Sequence, residues 1–270
     1  MAILVEIISF GIFAFWLLLF LVQAVAREAG AWLGRRHAAG GQAPSEGVGV
    51  VVGGMLGLLA FVLALTLSFA STRFEERRQG TLMEANAIGT AWLRTQAIGH
   101  ARSPELAALF HDYARNRVAF IEAPPDRAVV AAINERTAQL QGQIWEHVTA
   151  ILRERPDPIA AGLMSATNEV FDRSTAERFA FSLTMPPQMV WLLLGITVLS
   201  IGALGYQLAL RGLALRLLSL LLIAMWTSVI VEILDLSAPR IGSLRASAAA
   251  YYWTIEGFQP APTTPPMTRR

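Results

Sequence analysis

The sequence predicts an all-α membrane protein with four transmembrane helices in two hairpins and a helical extramembrane insert between spans 2 and 3. Apolar residues make up 54% of the 270 positions, and the mean hydropathy is +0.47. Four apolar stretches reach the roughly 20 residues that a helix needs to cross a bilayer. No stretch alternates apolar and polar residues with the period of two that a half-buried strand shows.

The four spans are predicted from the length of the apolar stretches. They cover approximately residues 3–25, 48–70, 189–210 and 213–236. The first stretch ends in Ala24-Val25-Ala26, which resembles a signal-peptide cleavage site, but no positive charge precedes it, so a retained helix is predicted. The predicted domains are hairpin 1 at 1–71, the insert at 72–187, hairpin 2 at 188–236, and a C-terminal segment with a disordered tail at 237–270.

Prolines mark the helix ends in the insert. The second span is expected to continue as a helix to about Ile98, and Ser103 is predicted as the N-cap of a helix that ends near residue 122. A further helix is predicted over 126–155, and the last helix of the insert is expected to end before Pro186. The connection over 26–46 is expected to be a loop.

Sequence motifs of catalysis and metal binding are absent. The chain has no Cys, and its four His residues show no metal-ligand spacing. It has no Gly-rich phosphate loop and no GxSxG motif. Every basic residue is Arg, and no Arg-rich block is interleaved with aromatic residues, so nucleic acid is not an expected partner. We therefore expect no enzyme activity, no cofactor and no metal, and we expect the lipid bilayer as the surrounding medium.

A stripe of small residues on the second span is the first candidate site. The stripe recurs every three or four residues, with Phe61 beside it, and consists of Gly53, Gly57, Ala60, Ala64, Ser68 and Ser71. Such a face allows close helix packing in lipid. Alternatively, several copies of it line a narrow pore that gates by dewetting.

The second candidate site lies farther along the same predicted helix and includes Glu84, Asn86 and Arg94. One interpretation is tight helix packing through Ala87, Gly89 and Ala91, with Glu84 paired to an Arg. The other is a ring of Glu84 or Arg94 around an ion path, which would set charge selectivity or gating.

The third candidate site is a charged cluster at the membrane boundary, formed by Glu6, Glu232, Asp235 and Arg240. Carboxylates at this depth usually pair with cations or face water. The cluster therefore predicts either interfacial anchoring through salt bridges or a cation site of clustered carboxylates.

Two segments, at residues 54–94 and 235–247, resemble the DUF4239 family, which is also described as bestrophin-like. The second has the family's Asp-x-x-x-Pro-Arg-x-Gly pattern, beginning at Asp235 and ending at Gly242. The resemblance implies kinship with bestrophins, which are pentameric anion channels with four spans per subunit. It therefore implies a homo-oligomer with a central pore beside the second span.

The sequence thus favours an oligomeric ion channel whose pore is lined by span 2, with Glu84 or Arg94 at its mouth and inorganic ions as the conducted species. The alternative is a non-conducting membrane scaffold or sensor whose insert binds a partner. A cell membrane, and specifically the bacterial inner membrane, is the expected location. Arg residues flank both ends of the spans, so the sequence leaves the membrane orientation open.

Overall fold

A computed structural model describes residues 11–40, 46–213 and 215–258 of the chain. The described residues are mostly helical and contain no strand, which confirms the all-α prediction. The helices are α1 (Ile12–Ala39), α2 (Glu46–Ala97), α3 (Ser103–Glu122), α4 (Arg127–Glu154), α5 (Pro158–Ser182), α6 (Pro187–Leu210), α7 (Arg216–Ser237) and α8 (Ala249–Glu256). As predicted, four stretches are long and apolar enough to cross a membrane, and they contain α1, α2, α6 and α7.

The described residues divide into two compact units. The apolar unit comprises the described residues up to Phe74 together with 184–245. The insert unit comprises residues 75–183 and the described residues from 246 onward. Helix α2 is continuous over 52 residues, so it contributes its first part to the apolar unit and its last part to the insert unit.

The apolar unit is held together by an unusually close contact between α1 and α6. Gly30 and Gly34 of α1 have the four-residue spacing typical of close helix pairs in membranes. A Cβ atom on Gly30 would overlap the backbone carbonyl of Gly202, and one on Gly205 would overlap the carbonyl of Arg27. The two backbones can approach this closely only because these positions lack side chains.

Helix α7 lies antiparallel to α1, and polar side chains join the two. Gln23 donates to the Thr227 hydroxyl (2.9 Å), and Nε of Arg27 donates to the Ser219 hydroxyl (2.9 Å). Arg27 is buried, and its guanidinium also forms an ion pair with Glu28. The remaining core of the unit is aliphatic and aromatic.

The predicted loop over 26–46 is wrong, because α1 continues to Ala39. Its extra turns are stabilised by the glycine contact with α6 and by the hydrogen bond from Arg27. The beginning of the predicted first span, residues 3–10, lies outside the described residues. So does the tail at 260–270 that was predicted to be disordered.

In the insert unit, side-chain caps fix where α4 and α5 begin. The Asp126 carboxylate accepts from the Ala128 amide (2.7 Å), and the Asp157 carboxylate accepts from the Ala160 amide (2.8 Å). Ser103 was predicted as an N-cap but is the first residue of α3, and its hydroxyl accepts from the His100 amide (3.2 Å). The helices of this unit enclose one apolar core.

Helix α8 was not predicted and belongs to the insert unit. The Thr254 hydroxyl donates to the Ala85 carbonyl of α2 (3.3 Å), and the Trp92 and Phe258 rings stack at 4.8 Å. Tyr251 is fully buried. Helix α8 therefore adds residues from the C-terminal part of the chain to the core of the insert unit.

Candidate functional site

A cluster of ionisable side chains lies in the middle of the insert unit. It consists of Glu84 from α2, Arg117 from α3, Glu177 from α5 and Tyr251 from α8. Each of the four is at most 1% exposed. Charged side chains are almost never buried to this degree unless they are paired. The contacts among these four side chains must therefore satisfy each buried charge.

Arg117 bridges the two carboxyl groups. Its Nε donates to Oε1 of Glu84 (2.7 Å), and its Nη2 donates to Oε2 of Glu84 (3.1 Å) and to Oε2 of Glu177 (3.0 Å). The Glu84 contact is two-pronged, a geometry that favours an ionised carboxylate and so opposes protonation of this group. The guanidinium also lies over the Phe120 ring, 4.3 Å from its centroid.

The contacts of Tyr251 show that one of the two carboxyl groups carries a proton. Its hydroxyl oxygen lies 2.6 Å from Oε2 of Glu84 and 2.6 Å from Oε2 of Glu177. A phenol has one proton, so it can donate to only one of these oxygens and must accept from the other. Burial raises the pKa of Tyr251 well above its usual value, so the phenol keeps its own proton. One of the two carboxyl groups is therefore protonated.

The directions of the two pKa shifts assign that proton to Glu84. Burial raises the pKa of Glu84 to about 8, against the opposing effect of Arg117. Burial also acts to raise the pKa of Glu177, but hydrogen bonding with Glu84 and the charge of Arg117 outweigh it and hold this pKa below its usual value. The Thr81 hydroxyl lies 2.6 Å from Oε1 of Glu177 and donates to it, which further stabilises the ionised form.

The cluster is therefore one carboxylic acid, one carboxylate and one guanidinium, with no net charge. It joins four helices of the insert unit through charge-assisted hydrogen bonds in a place that excludes water. Chemically it can hold a single proton away from solvent.

The burial of Glu84 corrects its predicted role at an ion path. A fully buried carboxyl group inside one chain cannot form a ring that faces water. Glu84 is paired to Arg117, and Ala87 and Ala91 are buried, as the packing interpretation expected, whereas Gly89 is half-buried. Asn86 and Arg94 are exposed, and Arg94 donates to the Gly162 carbonyl. The three residues therefore do not form one site.

The small-residue stripe on α2 is uncovered in the described chain. All seven predicted pore-lining positions are exposed, and they are Gly53, Gly57, Ala60, Phe61, Ala64, Ser68 and Ser71. A Cβ atom on Gly53 or Gly57 would meet nothing within 4 Å. The opposite face of α2 is buried in the apolar unit, including Leu59 and Leu63.

The predicted charged cluster at the membrane boundary is not assembled among the described residues. Glu6 lies outside them, Glu232 is exposed, and Arg240 is half-buried. Asp235 is buried and accepts from the amide (2.9 Å) and hydroxyl (2.6 Å) of Ser243. The described residues contain no group of three or more His, Asp or Glu that could hold a metal. The cation-site interpretation therefore has no support in this part of the chain.

The Asp235 contacts explain the spacing of the Asp-x-x-x-Pro-Arg-x-Gly pattern. Gly242 has a φ of +100°, which side chains disfavour, and a Cβ atom there would overlap the Asp235 carboxylate. Asp235 also accepts from the Leu244 amide (3.3 Å). The pattern therefore encodes a turn that folds back onto the end of α7.

Sequence reasoning missed three members of the buried cluster, namely Arg117, Glu177 and Tyr251. Arg117 could have been detected, because it occupies the same helix face as Phe110, Tyr113 and Ile121, which are all buried. An Arg within an apolar stripe indicates an internal carboxylate partner. Nothing local distinguishes Tyr251, since it enters the cluster from a helix that was not predicted.

No protein-family model, curated protein or solved structure matches this chain. The residues and contacts of the chain, with the resemblance of its two segments described above, are therefore the grounds for proposing a function.

Proposed function

We propose that the chain is the subunit of a homo-oligomeric ion channel in a cell membrane, the bacterial inner membrane, with α2 lining the pore. The observation that carries the proposal is the uncovered small-residue face of α2, which includes Gly53 and Gly57. Of the four apolar stretches, the one containing α2 is the least buried within the chain.

This face is better suited to a second helix than to lipid. In a bilayer, glycine and other small residues concentrate where helices approach each other, because the backbones then gain van der Waals contact. No described part of the chain covers the face, so we assign it to the axis of a ring, where small side chains let copies of α2 from neighbouring subunits converge and leave a narrow path between them. Closed cyclic symmetry would bring the same face of every α2 towards one axis.

The side chains on this face suit a narrow and mostly apolar path. Ser68 and Ser71 would supply hydroxyl groups, and Phe61 would supply a hydrophobic constriction of the kind that gates by dewetting. We place Asn86 and Arg94, which are exposed on the same helix, at the mouth of the pore. Glu84 is left out because it is buried. The resemblance to the DUF4239 family supports the same arrangement and favours a pentamer.

Two measurements test the proposal. Light scattering on the detergent-purified chain, followed by imaging, gives the subunit number, and we expect a ring of roughly four to six copies. Ion flux into liposomes is then compared for Gly57→Trp and Gly195→Trp. Both glycines are exposed within apolar helices and have open space around them, but Gly195 lies on α6.

We expect Gly57→Trp to abolish flux from an intact ring and Gly195→Trp to conduct normally. A monomer, or a two-fold dimer without a central path, would refute the channel. A ring in which the wild-type chain carries no ions would identify the alternative, a non-conducting scaffold or sensor whose insert binds a partner.

A further inference from the structure

One end of the apolar unit carries four exposed Arg residues. Three contacts hold this end of α1, α2, α6 and α7 together. Gly34 of α1 lies against Tyr206 of α6, and Gly49 of α2 lies against the Arg211 guanidinium. Arg27 of α1 donates to Ser219 of α7. The exposed residues at this end are Arg35, Arg36, Arg211 and Arg216.

These four guanidinium groups have no ion-pair partner among the described side chains. Glu28 is the acidic side chain described at this end, and it is already paired with the buried Arg27. Arg36 and Arg211 lie at helix C-termini, where a positive charge is favourable. That interaction involves backbone carbonyls and leaves the guanidinium groups exposed.

Aromatic side chains at the same end have the placement typical of a lipid headgroup region. Trp32 is 53% exposed, and the Arg36 guanidinium lies 5.2 Å from the centroid of its ring. The Tyr206 hydroxyl is 2.9 Å from Nδ1 of His37. Trp and Tyr concentrate at the boundary between the hydrocarbon core and water.

The opposite end of the apolar unit lacks this excess of positive charge. Its described charged residues are Arg73, Arg240, Arg245, Glu232 and Asp235, so the two signs nearly balance. The unit is therefore electrically asymmetric along its helices, with the positive end at the turn that joins α6 and α7.

We propose that the positive end binds the headgroups of anionic phospholipids in the adjoining leaflet. An Arg fork matches the geometry of a phosphate group, and each Arg near an anionic surface adds favourable energy. The apolar flanks of α1 and α6 would hold the acyl chains, so the ligand is a lipid rather than a soluble phosphate. This inference is independent of ion conduction.

The test measures lipid retention by the full-length protein. The detergent-purified chain is incubated with equal amounts of phosphatidylglycerol and phosphatidylcholine, and native mass spectrometry counts the bound lipids. We expect about a tenfold or greater preference for phosphatidylglycerol, reduced at least about fivefold when salt is raised from 0.1 to 0.5 M. Inorganic phosphate at millimolar concentration should not displace the lipid.

Substitutions locate the site. Changing the four Arg residues to Gln should remove the preference, and changing them to Lys should retain most of it. Arg245→Gln, an exposed Arg at the other end, should leave it unchanged. Equal retention of the two lipids by the wild-type chain would overturn the proposal even if the Gln variant did not fold. Full displacement by phosphate would also overturn it, because it would indicate a soluble-anion site.

Discussion

Loss of the proton that Glu84 holds should make the insert unit less stable as pH rises through neutrality. The informative perturbation is Glu84→Gln. An amide has the shape of a protonated carboxyl group and can donate to the same acceptors, but it has no proton to lose. The wild-type chain and the variant should therefore differ in pH dependence more than in stability at low pH.

The direction and size of this change in stability follow from the linkage between proton binding and folding. The pKa of Glu84 is raised from 4.5 to about 8, so the folded state binds more protons than the opened state between these values. The stability from Glu84 is complete below pH 4.5 and is lost as pH rises through 8. The slope is about 1.4 kcal/mol per pH unit, or at most about 3 kcal/mol between pH 5.5 and 7.5. Glu177 has a lowered pKa, so its contribution is lost only as pH falls below the usual carboxyl range.

Hydrogen–deuterium exchange of the full chain measures this locally. The opening free energy of the α8 peptide, corrected for the intrinsic pH dependence of exchange, should fall from pH 5.5 to 7.5 in the wild-type chain and stay flat in Glu84→Gln. The double variant Glu84→Gln/Glu177→Gln leaves the Arg117 charge buried and unpaired, and should be destabilised by about 3–5 kcal/mol.

Glu169→Gln is the matched control. Glu169 is on α5 with Glu177, but its partner is Arg173 and both side chains are about half exposed, so its loss should change stability by less than about 1 kcal/mol. A wild-type opening free energy that is constant or rises from pH 5.5 to 7.5 would show that no proton is held in the cluster. If Glu84→Gln kept the full pH dependence of the opening free energy, the proton would be held by a group other than Glu84.

Two further predictions concern the apolar unit. Gly30→Leu should prevent α1 from docking on α6 and so lower the midpoint of thermal unfolding in detergent. Gly195 faces open space, so Gly195→Leu should leave the midpoint nearly unchanged. Equal effects of the two substitutions would contradict the close contact between α1 and α6. Asp235→Ala should leave the Ser243 amide and hydroxyl without their acceptor, destabilise the turn by about 1–3 kcal/mol, and speed proteolysis after α7. Unchanged cleavage would mean that the turn does not depend on Asp235.

Most of the helices could be predicted because their determinants are local. Apolar length locates α2, α6 and α7, and prolines or capping residues fix the ends of α3, α4 and α5. The end of α1 could not be read this way. Its last turns contain Arg and Gly, which read as a loop, and they are helical because Gly30 meets a helix far along the chain.

The cluster was less predictable than the helices. An Arg partner for Glu84 was one of the two interpretations, but 33 residues separate Glu84 from Arg117, and 167 separate it from Tyr251. Pairings at this distance depend on how helices pack, which periodicity within one helix does not specify. The small residues of α2 lie on one exposed face, as their spacing predicted, whereas what covers that face cannot be read from one helix.

The contact between α1 and the last hairpin also affects how the protein is made. Arg27 and Ser219 are 192 residues apart, and ribosomes add about 5–20 residues per second, so α1 waits on the order of 10–40 s for its partner helix. During that time the Arg27 side chain and the bare backbone at Gly30 have no docking surface. Biosynthesis therefore passes through a stage in which α1 has left the ribosome while α6 and α7, which it packs against, have not yet been made. Until the final hairpin emerges, the surroundings of α1 are lipid or the insertion machinery rather than α6 and α7.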